Sequence, residues 1–205
     1  MTIYTHQGDL PEGIDFGNSV AVDTETLGLN PLRDRLCVVQ LSDGKGDAHL
    51  VQLSANDYAD AKNLKKVMGD PTVLKIFHFA RFDVAVMKHY LNVDVAPVFC
   101  TKIASKLVRT YTDRHGLKDL TRELLGINMD KQQQSSDWAA IELSDEQKSY
   151  AASDVLYLHQ MMDKLIDMLK RENRMDMAQS CFDFLPTRCA LDLNGWDECD
   201  IFAHR

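Results

Sequence analysis

The stretch Val20-Ala21-Val22-Asp23-Thr24-Glu25 places two carboxylates at the end of a short apolar run. Such a run predicts a buried strand, and side chains two positions apart on a strand point to the same face. We therefore expect Asp23 and Glu25 to lie side by side. Adjacent carboxylates repel one another unless a divalent cation binds between them, so the stretch indicates either a solvated strand end or part of a metal site.

Strand and helix signals alternate through the first half of the chain. Apolar runs predict strands over 20–23, 36–41, 49–53, 73–79 and 98–100, with helices over 57–68 and 81–91. Beyond residue 101 the pattern is helical. A long helix is expected from Ser144 to about Lys170, and a final one stops before Pro186. The pattern predicts one α/β domain over 1–205, with a mixed five-stranded sheet flanked by helices, a core at about 18–170 and a C-terminal helix and tail at 171–205.

Composition excludes several classes of protein. The 205 residues carry a net charge of −8, which argues against a general nucleic-acid coat protein. We expect no signal peptide and no membrane span, because the sequence contains no apolar segment of the kind that either of them requires. The five cysteines have no metal-binding spacing, so a cytoplasmic protein with reduced thiols is expected.

Two further acidic motifs change the interpretation of the first. Asp83 follows a predicted strand by four residues, and Tyr150 and Asp154 share a helical face. Each alone is most simply structural, but together Asp23, Glu25, Asp83 and Asp154 offer four hard oxygen ligands for two Mg²⁺ or Mn²⁺ ions. Tyr150 would orient the attacking water. The set predicts metal-assisted phosphodiester hydrolysis.

These motifs resemble those of a known family. Asp23-x-Glu25, Asp83 and Tyr150-x-x-x-Asp154 resemble the three motifs of the DEDDy branch of 3′-5′ exonucleases, and the run from Ser136 to Val155 is similar to ribonuclease D. The resemblance implies a ribonuclease-H-like (DnaQ-like) fold, two divalent metal ions, and release of nucleoside 5′-monophosphates from the 3′ end.

Two further stretches and the chain length narrow the resemblance. The runs 109–117 and 131–138 resemble the nanoRNase C family of bacterial oligoribonucleases. That resemblance implies action on very short RNAs, dinucleotides above all, and assembly into a homo-octameric ring. Ribonuclease D carries further helical nucleic-acid-binding domains, for which we expect no room in a chain of this length.

The residues after the first motif are candidates for substrate binding. Position for position, Leu29 matches a leucine that wedges between the two bases in oligoribonucleases, although a core leucine behind a glycine turn is an equal alternative. His78 and Phe79 could flank the 3′ nucleotide. Packing beneath the sheet edge is an equal alternative for Phe79.

A basic segment lies in this acidic chain. Residues 101–122 contain six Lys and Arg against two Asp, and Lys102, Lys106 and Arg109 share a helical face if the helix continues through them. We expect some of these cations to contact the 5′ phosphate. Ser105, Tyr111 and His115 could complete that site. Trp138 is interpreted as a packing anchor in preference to a base-stacking residue.

Two other functions stay open. One is trimming of structured RNA 3′ ends as in ribonuclease D, and the other is a non-catalytic nucleotide-binding scaffold. The C-terminal segment with Trp196, Ile201 and Phe202 is either a strap over its own domain or a subunit contact, and we hypothesise the contact.

Overall fold

The computed structural model describes residues 2–129, 133 and 135–204. In those residues one sheet contains six strands, in the spatial order β1-β4-β3-β2-β5-β6. The strands are β1 (Ile3–Gln7), β2 (Ser19–Thr26), β3 (Leu36–Ser42), β4 (Ala48–Gln52), β5 (Leu74–Phe77) and β6 (Val98–Cys100). β3 runs antiparallel to β2 and β4, and the other pairs are parallel. The mixed α/β fold is confirmed.

The expected five strands are joined by a sixth, β1, at the edge of the sheet. β1 pairs in parallel with β4, with Ile3 opposite Ala48 and Gln7 opposite Gln52. Its sequence reads Ile-Tyr-Thr-His-Gln, and none of its residues is fully buried. An edge strand is half solvated, so it lacks the apolar run that marks a central strand.

The helices lie on both sides of this sheet. They are α1 (Lys62–Gly69), α2 (Ala80–Leu91), α3 (Thr101–Val108), α4 (Leu117–Leu120), α5 (Asp145–Leu156), α6 (Leu158–Arg171) and α7 (Met175–Leu191), with π-helical turns at Thr121–Leu125 and Asp192–Trp196. None of the helices in the described ranges is both long and apolar enough to cross a membrane.

Two helices begin at capping groups, one adjacent to its helix in the sequence and the other remote from it. Ser144 caps α5 as expected, in a capping box with Gln147. α1 begins at Lys62 and not at residue 57, because its first free N–H groups are bound by a remote carboxylate. Asp9 accepts hydrogen bonds from the backbone of Asn63 at 2.9 Å and of Leu64 at 2.8 Å.

Two predicted helix boundaries were wrong. The long helix after Ser144 is divided at Tyr157, whose φ of −104° and ψ of −3° stay in the right-handed helical region but depart from the ideal helical values. The last helix does not stop before Pro186 but continues to Leu191. Proline removes one backbone hydrogen bond, and the loss is offset by a buried apolar stripe on the same helix. That stripe comprises Ala178, Phe182, Leu185 and Cys189.

Candidate active site

Three carboxylates meet where β2 passes beneath α5. One oxygen each from Asp23, Glu25 and Asp154 lies within 4.8 Å of the others. Asp23 and Glu25 share one face of β2 because they are two residues apart, and Asp154 projects from α5, which packs across β2, β3 and β4. Asp83, in the first turn of α2, lines the same cleft. The four predicted carboxylates are therefore brought together.

The electrostatics of this cluster favour a bound cation. Burial, reinforced by the neighbouring carboxylates, raises the pKa of Asp23 well above its usual range. Burial likewise raises the pKa of Asp83 to about 7 and that of Glu25 to about 9. The protein holds these groups where their simultaneous ionisation is unfavourable without added positive charge. A set of four carboxylates, with hard oxygen donors only, fits Mg²⁺ or Mn²⁺.

Tyr150 stands one helical turn before Asp154 and interacts with its carboxylate. Burial raises the pKa of the Tyr150 phenol, so the hydroxyl stays protonated at neutral pH. The Trp138 ring packs against it, with the ring centroids 5.9 Å apart. Trp138 is only 1% exposed, in a small apolar cluster with Leu50 and Ala151, which supports its interpretation as a packing anchor.

The cleft in front of the carboxylates has a volume of about 520 Å³. Leu29 lines it and is 88% exposed, so the alternative of a core leucine was wrong. Phe79 is 44% exposed and also lines the cleft, so it does not pack beneath the sheet. Its φ of 70° is uncommon for a bulky residue, and such backbone strain concentrates at functional sites.

Two polar side chains border Phe79. The ammonium of Lys102 lies 4.1 Å from the centroid of the Phe79 ring, within range of a cation–π interaction. The His78 ring, which also lines the cleft, has its Nδ1 2.9 Å from the hydroxyl of Thr101. The strand end thus forms one wall of the cleft, and the start of α3 contacts that wall through Thr101 and Lys102.

The basic segment is arranged differently from the expectation. α3 ends at Val108, so Arg109 leaves the helical face that Lys102 and Lys106 were expected to share with it. Arg109 is 0% exposed, forms an ion pair with Glu123, and donates to the backbone oxygen of Arg114 at 2.8 Å. The predicted phosphate contact of Arg109 is therefore wrong in this structure, because its guanidinium is used to hold the 109–116 turn.

The other members of the predicted phosphate site lie outside the residues that line the cleft. Ser105 is buried, and its hydroxyl lies 2.8 Å from Nδ1 of His115, which corrects the expectation that Ser105 faces substrate. Lys106 and Tyr111 are exposed, and their role in phosphate binding stays a prediction. In the run 131–138, Lys131, Gln132 and Gln134 lie outside the described residues.

Sequence reasoning missed Thr24 as a site residue. Its side chain lies on the face of β2 opposite Asp23 and Glu25, and its hydroxyl donates to Oδ1 of Asp83 at 2.7 Å. The signal available in the sequence was its position, since Thr24 stands between Asp23 and Glu25. Leu27, Phe82 and Leu117 also line the cleft and were not predicted to do so.

Comparison with known proteins decides the family. A 3′-5′ exonuclease family matches residues 8–170. The chain belongs to this 3′-5′ exonuclease family. It is 34% identical over 161 residues to ribonuclease D of Gluconacetobacter diazotrophicus, an alignment that covers 78% of this chain and 40% of that protein. The chain thus spans about two fifths of the length of that relative.

Solved structures give full-length matches. Brucella melitensis NrnC is 57% identical with a TM-score of 0.96, and the match covers 100% of both chains. The same protein with bound Mg²⁺ matches at 55% identity and a TM-score of 0.95, with 100% of both chains covered. Its complex with pGG matches at 56% identity and a TM-score of 0.96, over 100% of both chains. The DnaQ-like exonuclease fold is thereby confirmed.

Proposed function

We propose that this chain is a metal-dependent 3′-5′ exoribonuclease of the cytoplasm. It hydrolyses very short RNA, dinucleotides above all, to nucleoside 5′-monophosphates, and residues 1–205 form a single exonuclease domain. The observation that carries the proposal is the convergence of Asp23, Glu25, Asp83 and Asp154 with Tyr150 in one cleft. The Mg²⁺ and pGG that Brucella melitensis NrnC binds support it.

The four carboxylates would hold two divalent ions, Mg²⁺ or Mn²⁺. When bound, such ions activate a water molecule and stabilise the leaving oxygen of a phosphodiester. Tyr150 remains a neutral phenol and orients the water through its hydroxyl. Trp138 restrains the Tyr150 ring from behind, so this hydroxyl is presented in one direction.

The walls of the cleft favour a short substrate. Leu29 projects into the cleft, where it separates the two bases of a dinucleotide, and Phe79 provides a ring on which the 3′ base stacks. His78 and Lys102 lie beside that ring and are placed for polar contacts to the same nucleotide. The net charge of −8 disfavours long polyanions, which need an extended basic surface.

The decisive experiment is a product time course on 5′-labelled RNAs of two to seven nucleotides. We expect the dinucleotide to be hydrolysed fastest, in the presence of Mg²⁺ or Mn²⁺. Equal or faster turnover of the longer RNAs would favour trimming of RNA 3′ ends as in ribonuclease D. Binding of a dinucleotide without turnover, under saturating metal, would favour the non-catalytic scaffold.

We also propose that the chain self-associates, as a homo-octameric ring. The support is the similarity to the nanoRNase C family and the exposed apolar side chains of the tail, Trp196, Ile201 and Phe202. The tail is also tied to its own domain, because Arg81 and Arg188 both donate to Asp192. Truncation after Asn194 should lower the mass measured by light scattering, and an unchanged oligomer would exclude the tail as the contact.

A further inference from the structure

Gln40 lies on β3, opposite the cluster residue Asp23 on β2. Gln40 is the cross-strand partner of Asp23 in the antiparallel pairing of β2 with β3, and the partner of Leu50 on β4. Directly opposed residues of an antiparallel pair project to the same face, with Cβ atoms roughly 5 Å apart. Gln40 therefore projects to the same face as Asp23.

This position is closed to solvent and largely apolar. Gln40 is 0% exposed. Its neighbour Leu50 belongs to the small cluster with Trp138 and Ala151, and α5 packs across this part of the sheet. The amide of Gln40 is consequently enclosed between an apolar cluster on one side and the ligand Asp23 on the other.

Neither polar atom of this amide has a partner. Within the described residues, Oε1 and Nε2 of Gln40 make no hydrogen bond. Burying an unpaired amide is unfavourable, and nearly all buried polar groups in proteins are paired. An apolar side chain of similar size would avoid that cost, so the fold alone gives no reason for glutamine here.

A second buried glutamine of the same sheet shows the usual arrangement. Gln52 on β4 donates from Nε2 to the backbone oxygen of Ala140 at 2.5 Å and accepts at Oε1 from Gln7 at 3.0 Å. Its amide links β1 and β4 to the loop before α5. The two glutamines thus differ, since both polar atoms of Gln52 have partners and those of Gln40, which lies opposite Asp23, have none among the residues that the structure describes.

We propose that Gln40 is a positioning residue for Asp23, and that Nε2 of Gln40, which has no partner in the described part of the chain, donates a hydrogen bond to the Asp23 carboxylate once a cation is bound there. A hydrogen bond to one carboxylate oxygen fixes the direction in which the other oxygen points. Mutation of a group that holds a metal ligand in this way commonly lowers metal affinity 10- to 100-fold. The inference rests on the proposed function, because Asp23 acts as a cation ligand only there.

The test compares Gln40→Met with the matched control Gln52→Met in two measurements. Mg²⁺ binding is followed by isothermal titration calorimetry, and unfolding by urea is followed with EDTA present. We expect Gln40→Met to weaken Mg²⁺ binding about tenfold while leaving the urea midpoint unchanged or raised, because it removes an unpaired polar group. We expect Gln52→Met to lower the urea midpoint and leave Mg²⁺ binding unchanged.

The outcomes separate this inference from the proposed function. Wild-type affinity for Mg²⁺ in Gln40→Met would overturn the role of Gln40 alone, as would a lowered urea midpoint without a change in binding. Failure of the wild-type chain itself to bind Mg²⁺ or Mn²⁺ would overturn both proposals.

Discussion

The hydroxyl of Thr24 donates a hydrogen bond of 2.7 Å to Oδ1 of Asp83. The bond joins the centre of β2 to the first turn of α2, and both residues are buried. Because side chains alternate along a strand, β2 presents Asp23 and Glu25 on one face and orients Asp83 from the other. One strand therefore organises three of the four carboxylates.

Replacing Thr24 by valine should weaken metal binding. The hydrogen bond to Thr24 opposes the burial that raises the pKa of Asp83, so its loss raises that pKa further. We expect Thr24→Val to need several-fold more Mg²⁺ than wild type for half-maximal rate at pH 7, and a smaller excess as the pH rises and Asp83 loses its proton in a larger fraction of both proteins. Thr24→Ser keeps the hydroxyl and should behave as wild type. Equal Mg²⁺ requirements for the valine and serine variants would contradict this role.

Loss of the Asp154 carboxylate should lower both the rate and the Mg²⁺ affinity, whereas loss of the Tyr150 hydroxyl should lower the rate alone. Asp154→Ala removes a metal ligand, so we expect the rate to fall by orders of magnitude together with Mg²⁺ affinity. Tyr150→Phe keeps the ring against Trp138 but removes the hydroxyl, so kcat should fall roughly 100-fold with Mg²⁺ affinity unchanged. Dinucleotide hydrolysis and calorimetric Mg²⁺ titration test both variants. Mg²⁺-dependent activity that survives in Asp154→Ala would refute the metal assignment.

Leu29→Ala should lower kcat/KM for a dinucleotide without lowering the stability of the fold. The side chain is exposed, so its truncation leaves the unfolding free energy within about 0.5 kcal/mol of wild type. We expect kcat/KM for a dinucleotide to fall about tenfold, because separation of the two bases is lost. Leu32→Ala is the control, since Leu32 is also exposed but does not line the catalytic cleft. Similar losses in both variants would argue against a wedge.

The ligands could be predicted because local rules fix their direction. Strand periodicity places Asp23 and Glu25 on one face, and helical spacing places Tyr150 one turn before Asp154. Each rule needs only the neighbouring residues. That these motifs meet in space was a hypothesis based on the ligand chemistry they share, since spacing alone does not bring α2 and α5 to the same strand.

The errors share a different physical origin, which is tertiary contact. β1 is held by pairing with β4, α1 starts where the distant Asp9 supplies a cap, and α7 passes through Pro186 because its apolar stripe is buried. Arg109 was expected at a phosphate but is buried by Glu123. A charge count describes a segment and does not reveal which cations already have a partner.

The buried Lys75 should give the fold a measurable dependence on alkaline pH. Its ammonium donates to the backbone oxygens of Asp70 at 2.7 Å and Ala96 at 2.5 Å, and burial lowers its pKa from 10.5 to about 8. Between those pH values the unfolded chain binds a proton that the folded chain has lost, so stability rises with pH. The contribution is up to about 3 kcal/mol across the window.

Comparison of wild type with Lys75→Met isolates this contribution, because other groups titrate equally in both proteins. We expect the unfolding free energy of wild type, relative to the variant, to be constant below about pH 7 and to increase from pH 8 to pH 10. Urea denaturation at pH 7, 8, 9 and 10, at one protein concentration, measures the difference. If the two proteins gave parallel curves of unfolding free energy against pH, Lys75 would have the same proton affinity in the folded and unfolded chains. If the advantage of wild type shrank as the pH rose, the two backbone oxygens would stabilise the ammonium more than burial disfavours it.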